Sequence, residues 1–80
     1  MTHEQVLAAL SDIIRDVLDE PDLAITEATK AVDVEAWDSF SHINIIVASE
    51  AYFKLKFNST DVEKLRDVGD FVTLIQKKLG

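Results

Sequence analysis

Ser39 is the residue of this chain with the clearest capacity for chemistry, because of the residues around it. Asp38 precedes it and can act as the N-cap of a helix that begins at Ser39. Such a helix start presents unpaired N–H groups and the positive end of the helix dipole, which suit a phosphate ester on the hydroxyl. A serine at this position can also be a purely structural capping residue. The long segment before it and the apolar residues after it favour an exposed attachment point.

Two other kinds of chemistry have weaker support. Ser39 and His42 stand three residues apart and could meet on a helix as a nucleophile and a base. However, nothing in the sequence orients the histidine, and no glycine-rich turn supplies oxyanion donors. Asp38 and His42 could both touch a metal ion, but two ligands are too few for a site. We therefore predict that the chain is not an enzyme and holds no metal.

The apolar residues that follow Ser39 fall on two separate stripes of a helical wheel. The stripe assigned to the core, the inner stripe, holds Ile45, Ile46, Tyr52 and Phe53, with His42 and Ser49 inside it. The opposite one, the outer stripe, holds Phe40, Ile43, Val47 and Ala51, flanked by Asn44 and Glu50. A helix with one neighbouring layer needs only one apolar face. The outer stripe is therefore either covered by the preceding loop or free for a partner.

The first helix is predicted from a capping box and a periodic apolar face. Thr2 is followed three residues later by Gln5, so each side chain can satisfy a free backbone donor near the other. The apolar positions at three- and four-residue steps are Val6, Leu7, Leu10, Ile13, Ile14, Val17 and Leu18. We expect the polar positions, Ser11 among them, to face water, and the helix to end before Pro21.

The remaining elements complete an all-α prediction. No period is sustained over residues 22–37, which indicates a long loop with at most a helical turn over residues 25–31. Thr60 and Glu63 form a second capping-box pattern for a short helix, and Asp67 is expected to cap the last one. The last helix has a predicted core face of Val68, Phe71, Val72, Leu74, Ile75 and Leu79. The fold expected is a small four-helix bundle: three main helices, one short helix, and a long loop between the first and second helices.

Composition narrows the class of protein. A chain of 80 residues without cysteine is predicted to form a single domain, residues 1–80, and any thiol chemistry must come from a cofactor. Eight basic against 15 acidic residues, a net charge of −7, argue against nucleic acid and favour a basic partner surface. The sequence contains no signal-peptide pattern and no apolar run long enough to span a membrane. We expect a cytoplasmic protein with no membrane partner.

Residues 37–46, Trp-Asp-Ser-Phe-Ser-His-Ile-Asn-Ile-Ile, resemble the helix-start motif of acyl carrier proteins, in which Asp-Ser-Leu carries a 4'-phosphopantetheine arm. Residues 65–70 resemble the Thr-Val-Gly-Asp passage of the same family. The resemblance implies that a phosphopantetheinyl transferase attaches the arm from coenzyme A to Ser39, next to Asp38. It also implies a biosynthetic shuttle, monomeric, that receives an acyl or aminoacyl thioester from a loading enzyme and passes it to a downstream transferase or synthase.

Departures from the family motif lead to two further predictions. Phe40 in place of leucine is similar to D-alanyl carrier proteins and keeps an aminoacyl cargo open. A partner-binding surface with few charges, docking mainly by apolar contact, is predicted at Phe40, Ile43, Asn44, Val47 and Glu50. A pocket suited to short or polar cargo, more than to fatty acid synthesis, is predicted at His42, Ile46, Ser49 and Phe53. An unmodified interaction module with the same fold is the alternative. The sequence leaves open the cargo, the pathway, and whether the chain stands alone or belongs to a larger synthase.

Overall fold

A computed structural model describes all 80 residues, which form four α-helices and no strand. The helices are α1 (His3–Leu18), α2 (Ser39–Phe53), α3 (Ser59–Glu63) and α4 (Val68–Leu79), with a single 3₁₀ turn at Ala31–Asp33. Three long helices, one short helix and a long loop between α1 and α2 confirm the predicted all-α four-helix architecture. No helix combines the length and the apolar character that a membrane crossing requires.

The start of α1 has the predicted capping box. The Thr2 hydroxyl accepts from the Gln5 amide at 3.1 Å, and the Gln5 side chain accepts from the Thr2 amide at 2.8 Å. At the other end, Asp19 adopts a left-handed conformation with φ of 55°, and its amide donates back to carbonyls of the last turn. Pro21 follows two residues later, where the helix can no longer continue.

The core lies where α1 packs against α2 and α4. Its buried apolar residues are Val6, Leu10, Ile14, Leu18, Trp37, Ile45, Phe53, Val68, Phe71, Val72 and Ile75. Three predictions of burial were wrong. Ser11 is buried, because α1 packs against both α2 and α4, so its buried surface is wider than the single apolar face that was predicted. Tyr52 lies at the edge of the contact with α1 and Leu79 in the last turn of α4, and both are exposed.

The start of α3 was also predicted wrongly. The helix begins at Ser59, and its capping box consists of Asn58 and Asp61 instead of Thr60 and Glu63. The Asn58 side chain accepts from the Asp61 amide at 2.8 Å, and the Asp61 carboxylate accepts from the Asn58 amide at 3.2 Å. Asparagine ranks above threonine as an N-cap, which explains the earlier start.

The long loop is held against the N-terminus of α4. The amides of Val68 and Gly69, which have no partner inside the helix, donate to the carbonyls of Thr29 and Glu27 at 2.9 and 2.8 Å. Asp67 caps the third free amide, that of Asp70, at 2.8 Å, as predicted. Within residues 25–31, where the sequence allowed at most a helical turn, the Thr29 amide donates to the Thr26 carbonyl at 3.1 Å, and the 3₁₀ turn begins at Ala31.

Candidate functional site

Ser39 is the first residue of α2, and its side chain is exposed without a hydrogen-bond partner in the protein. Asp38 precedes it in an extended conformation, and one of its carboxylate oxygens accepts from the Ser41 amide at 2.8 Å. This backbone hydrogen bond holds the pKa of Asp38 below its ordinary value. The amide of Ser39 has no acceptor in the protein, whereas that of Phe40 faces the Asp38 carboxylate and contributes to lowering its pKa. The helix start therefore offers one free N–H donor beside an exposed hydroxyl.

Trp37 fixes the chain immediately before the helix. Its side chain is buried in the core, and its amide donates to the carbonyl of Val34 at 3.0 Å. Its indole Nε1–H donates to Nδ1 of His42 at 3.0 Å, with the ring centres 6.0 Å apart. This hydrogen bond ties the loop to the first turn of α2 on both sides of Ser39. The sequence analysis missed the contact, for which the only signal is a tryptophan and a histidine five positions apart.

A groove of about 620 Å³ opens next to Ser39, between the long loop and α2. Its walls are formed by Ala31, Val32, Trp37, Asp38, Ser39, His42, Ile43 and Leu65. Sequence reasoning missed Ala31, Val32 and Leu65 as site residues. Val32 is 89% exposed, which is unusual for an apolar side chain and marks it as a candidate site residue. The sequence could not show this, because the exposure depends on how the loop folds.

The four residues of the predicted pocket are not brought together around one cavity. His42 lines the groove and also a small cavity of about 20 Å³ behind it, together with Trp37 and Phe71. Burial lowers the pKa of His42. Ser49 is fully buried and donates to the Ile45 carbonyl at 2.7 Å. Phe53 belongs to the buried core, and Ile46 is half-buried against that core.

The outer stripe is uncovered. Phe40, Ile43 and Val47 are 74%, 59% and 56% exposed, and Asn44 beside them is also exposed. Glu50 is placed differently: it is half-buried, and its carboxylate accepts from the Phe57 amide at 2.8 Å, in the segment after α2. The Glu50 carboxylate is thus bound to the backbone after α2, so the outer stripe is even less charged than its sequence suggests.

No protein-family model matches the chain, but individual proteins do, and they agree with one another. The acyl carrier protein of Thermotoga maritima is 32% identical over 79 residues, which cover 99% of this chain and 98% of that protein. The meromycolate extension acyl carrier protein of Mycobacterium leprae is 36% identical over 77 residues, covering 96% of this chain and 67% of the relative. The solution NMR structure of holo acyl carrier protein from Geobacter metallireducens superposes with a TM-score of 0.87 at 44% identity, covering 92% of this chain and 85% of that one.

Proposed function

The chain belongs to the acyl carrier protein family, and we propose that Ser39 is the residue on which it carries a 4'-phosphopantetheine arm. It is a carrier and not an enzyme. The observation that carries the proposal is the exposed Ser39 hydroxyl at the first position of α2, beside the Ser39 amide, which has no acceptor. The enzyme that attaches the arm must reach this residue, and nothing in the fold covers it.

The residues around Ser39 fit a phosphate-linked group. A phosphate on the hydroxyl would lie at the positive end of the α2 dipole, next to the free amide of Ser39. The negative charge of Asp38 is partly neutralised by its hydrogen bond to the Ser41 amide. The groove next to Ser39 has both apolar walls and polar groups, as binding grooves for organic ligands generally do.

When bound, the arm supplies the thiol that holds the cargo as a thioester. The chain itself contributes position and recognition. It has no cysteine, so no thiol of its own competes for the cargo. Its outer stripe offers three exposed apolar side chains in the first half of α2, a surface on which a phosphopantetheinyl transferase, a loading enzyme and a downstream transferase or synthase can each dock in turn.

The cargo that we propose is a short acyl group. The relatives named above are called acyl carriers, which favours an acyl over an aminoacyl group. One of them takes part, by its name, in meromycolate extension, which argues for fatty-acid-type pathways. The cavity behind His42, however, has room for only one or two water molecules. Neither this cavity nor the open groove beside Ser39 encloses a long chain, which is the reason for proposing a short one.

Intact mass measurement tests the proposal. The chain is incubated with coenzyme A, Mg²⁺ and a phosphopantetheinyl transferase, alongside Ser39→Ala and Ser59→Ala. Ser59 is the matched control, because it is also an exposed first residue of a helix but follows Asn58. The parent chain and Ser59→Ala are expected to gain one phosphopantetheinyl group and Ser39→Ala none. A parent chain that gains no mass while still binding the transferase would instead support the interaction module.

A further inference from the structure

The hydrogen bond between Trp37 and His42 fixes which nitrogen of the histidine carries its proton. The indole has a donor and no acceptor, so the Nδ1 atom that lies 3.0 Å from it must supply a lone pair. The hydrogen of the neutral ring is therefore on Nε2. Burial, which lowers the pKa of His42, favours this neutral form. The ring is held as a hydrogen-bond donor in one defined orientation.

The Nε2–H group has no partner in the protein. The His42 side chain makes one hydrogen bond, through Nδ1. Every fully buried side-chain nitrogen or oxygen of the molecule has a partner, so the unpartnered Nε2 must be accessible from outside. The hollows that His42 lines are the groove containing Ser39 and the small cavity behind it. A fixed donor is thus accessible on a ring that lines the groove containing Ser39, whose walls are both apolar and polar.

We propose that His42 is a positioning residue for the arm, and that its Nε2–H donates to the amide carbonyl of the arm nearest the phosphate. The inference rests on the proposed function, namely that Ser39 bears the arm. Three residues of an α-helix span about 4.5 Å along its axis, so His42 stands within reach of the first part of a group attached to Ser39 and far from its thiol. The hydrogen bond would direct the arm along the groove and away from solvent.

A purely structural role for the Trp37–His42 pair makes a different prediction. A hydrogen bond that only fastens the loop to α2 is complete before the arm is attached. Attachment would then leave the Nε2 side of the ring unchanged. A positioning residue must instead respond at Nε2 when the arm is present, and the arm must respond when the donor is removed.

Proton–nitrogen correlation spectra of the ¹⁵N-histidine-labelled chain separate these roles. In the unmodified chain, His42 is expected to show an unprotonated Nδ1 and a protonated Nε2. After complete loading, confirmed by intact mass, the Nε2–H resonance is expected to shift and its exchange with water to slow. His3 is the internal reference, because its ring binds Gln76 and Glu27 away from the groove. An unchanged His42 Nε2–H in a fully loaded chain, or a protonated Nδ1, would overturn the proposal.

Two variants measure the effect on the arm itself. His42→Phe keeps a planar ring without a donor, and His42→Gln restores an N–H donor on a flexible side chain. With a ¹⁵N-labelled arm, relaxation of its first amide is expected to show a gain in mobility in His42→Phe and partial restoration in His42→Gln. Equal arm mobility in the parent and both variants would contradict the proposal. If His42→Phe fails to fold, the comparison of loaded and unloaded parent chain decides alone. Failure to load at all counts against the proposed function and not against His42.

Discussion

The polar side chains next to Ser39 have partners of their own, and this leaves the serine free. The carboxylate of Asp38 is bound to the Ser41 amide, and the indole of Trp37 to His42. The Ser39 hydroxyl and the Ser39 amide have no such partner. An exposed hydroxyl on a well-anchored helix start is what a modifying enzyme needs, since it can be reached without unfolding its surroundings.

Substitutions at Asp38 separate its capping role from its charge. Asp38→Asn keeps an N-cap acceptor, so its unfolding free energy at pH 7 is expected to stay close to that of the parent, whereas Asp38→Ala is expected to be less stable. Because the pKa of Asp38 is lowered by the Ser41 amide, its contribution to stability is complete above the ordinary value of 3.8 and is lost as pH falls through the folded-state pKa. The asparagine variant should lack this acid dependence.

Urea unfolding of the three proteins between pH 2 and 7 measures both effects. Equal destabilisation of Asp38→Asn and Asp38→Ala at pH 7 would show that the charge, and not the cap, is what holds the start of α2.

The sequence was sufficient to predict the N-cap at Asp38 and the start of α2 at Ser39, but not the surroundings of these two residues. A serine after an N-cap aspartate is recognisable because both roles depend on adjacent residues. The hydrogen bonds from Trp37 to His42 and from Phe57 to Glu50 depend on how two segments approach each other, which no local pattern specifies. For the same reason, Glu50 was expected to face partners and is occupied within the chain.

Helix α2 packs one face in the core and exposes the other, and we expect partners to dock on the exposed face, the outer stripe. It carries apolar side chains and no carboxylate, so docking through it should depend mainly on buried apolar area. The net charge of −7 acts at longer range and can still accelerate encounter with a basic partner.

Truncation of the outer stripe is expected to weaken docking without weakening the fold. Ile43→Ala and Val47→Ala each remove apolar area worth about 1–2 kcal/mol at a well-packed interface, or roughly a tenfold rise in KM for the transferase. Their unfolding free energies should change little, because both side chains are more than half exposed. Tyr52→Ala is the matched control, since Tyr52 is as exposed as Ile43 but lies on the α1 side of the helix.

Loading kinetics across a range of salt concentrations provide the measurement. A KM that rises steeply with salt, or one that is insensitive to Ile43 and Val47 but raised by Tyr52→Ala, would contradict docking through the outer stripe.

The contact between the long loop and α4 depends on Gly69. Replacing glycine by alanine inside a helix usually stabilises it by about 1 kcal/mol. Here a Cβ at position 69 would lie 3.1 Å from the carbonyl oxygen of Glu27, the same oxygen that accepts from the Gly69 amide. We therefore expect Gly69→Ala to be less stable than the parent by about 1 kcal/mol, with faster hydrogen exchange at the amides of Val68 and Gly69. An increase in stability would show that the loop moves aside at no cost.

The helices were more predictable than the loop that joins them. In α1 and α4, apolar residues recur with the 3.6-residue period of a helix because each helix buries one long face. The start of α3 was misplaced because two capping patterns overlap within six residues, with Asn58 opening the first and Thr60 the second. The path of the long loop was not predictable, because backbone amides of α4 hold it, and a backbone donor leaves no mark in the sequence.

The two histidines respond oppositely to the folding of the whole molecule. Nε2 of His3 is hydrogen-bonded to the carboxylate of Glu27 in the long loop. Nδ1 of His3 lies 3.0 Å from the side-chain oxygen of Gln76 in α4. Both partners are oxygen acceptors, which only the doubly protonated ring can satisfy, and the hydrogen bond to Glu27 above all raises the pKa of His3. Burial lowers the pKa of His42. His3 therefore favours the charged form and His42 the neutral one.

Stability is expected to have a local maximum near pH 6.5, the ordinary histidine value. The contribution of His3, whose pKa is raised, is complete below 6.5 and is lost as pH rises through the folded-state pKa. The contribution of His42, whose pKa is lowered, is complete above 6.5 and is lost as pH falls through its folded-state value. Urea unfolding from pH 5 to 8 measures this. In His3→Gln the unfolding free energy should no longer fall as pH rises above 6.5, and in His42→Gln it should no longer fall as pH drops below 6.5. Identical profiles for both variants would refute the assignment.

Mass spectrometry of the chain purified from the cells that produce it tests whether this molecule carries its cargo through Ser39. We expect an intact mass increased by one phosphopantetheinyl group. Part of the protein should carry a further acyl mass that neutral hydroxylamine removes, and peptide mapping should place both on Ser39. Unmodified chain in cells that contain an active phosphopantetheinyl transferase, or a group on any other residue, would contradict it.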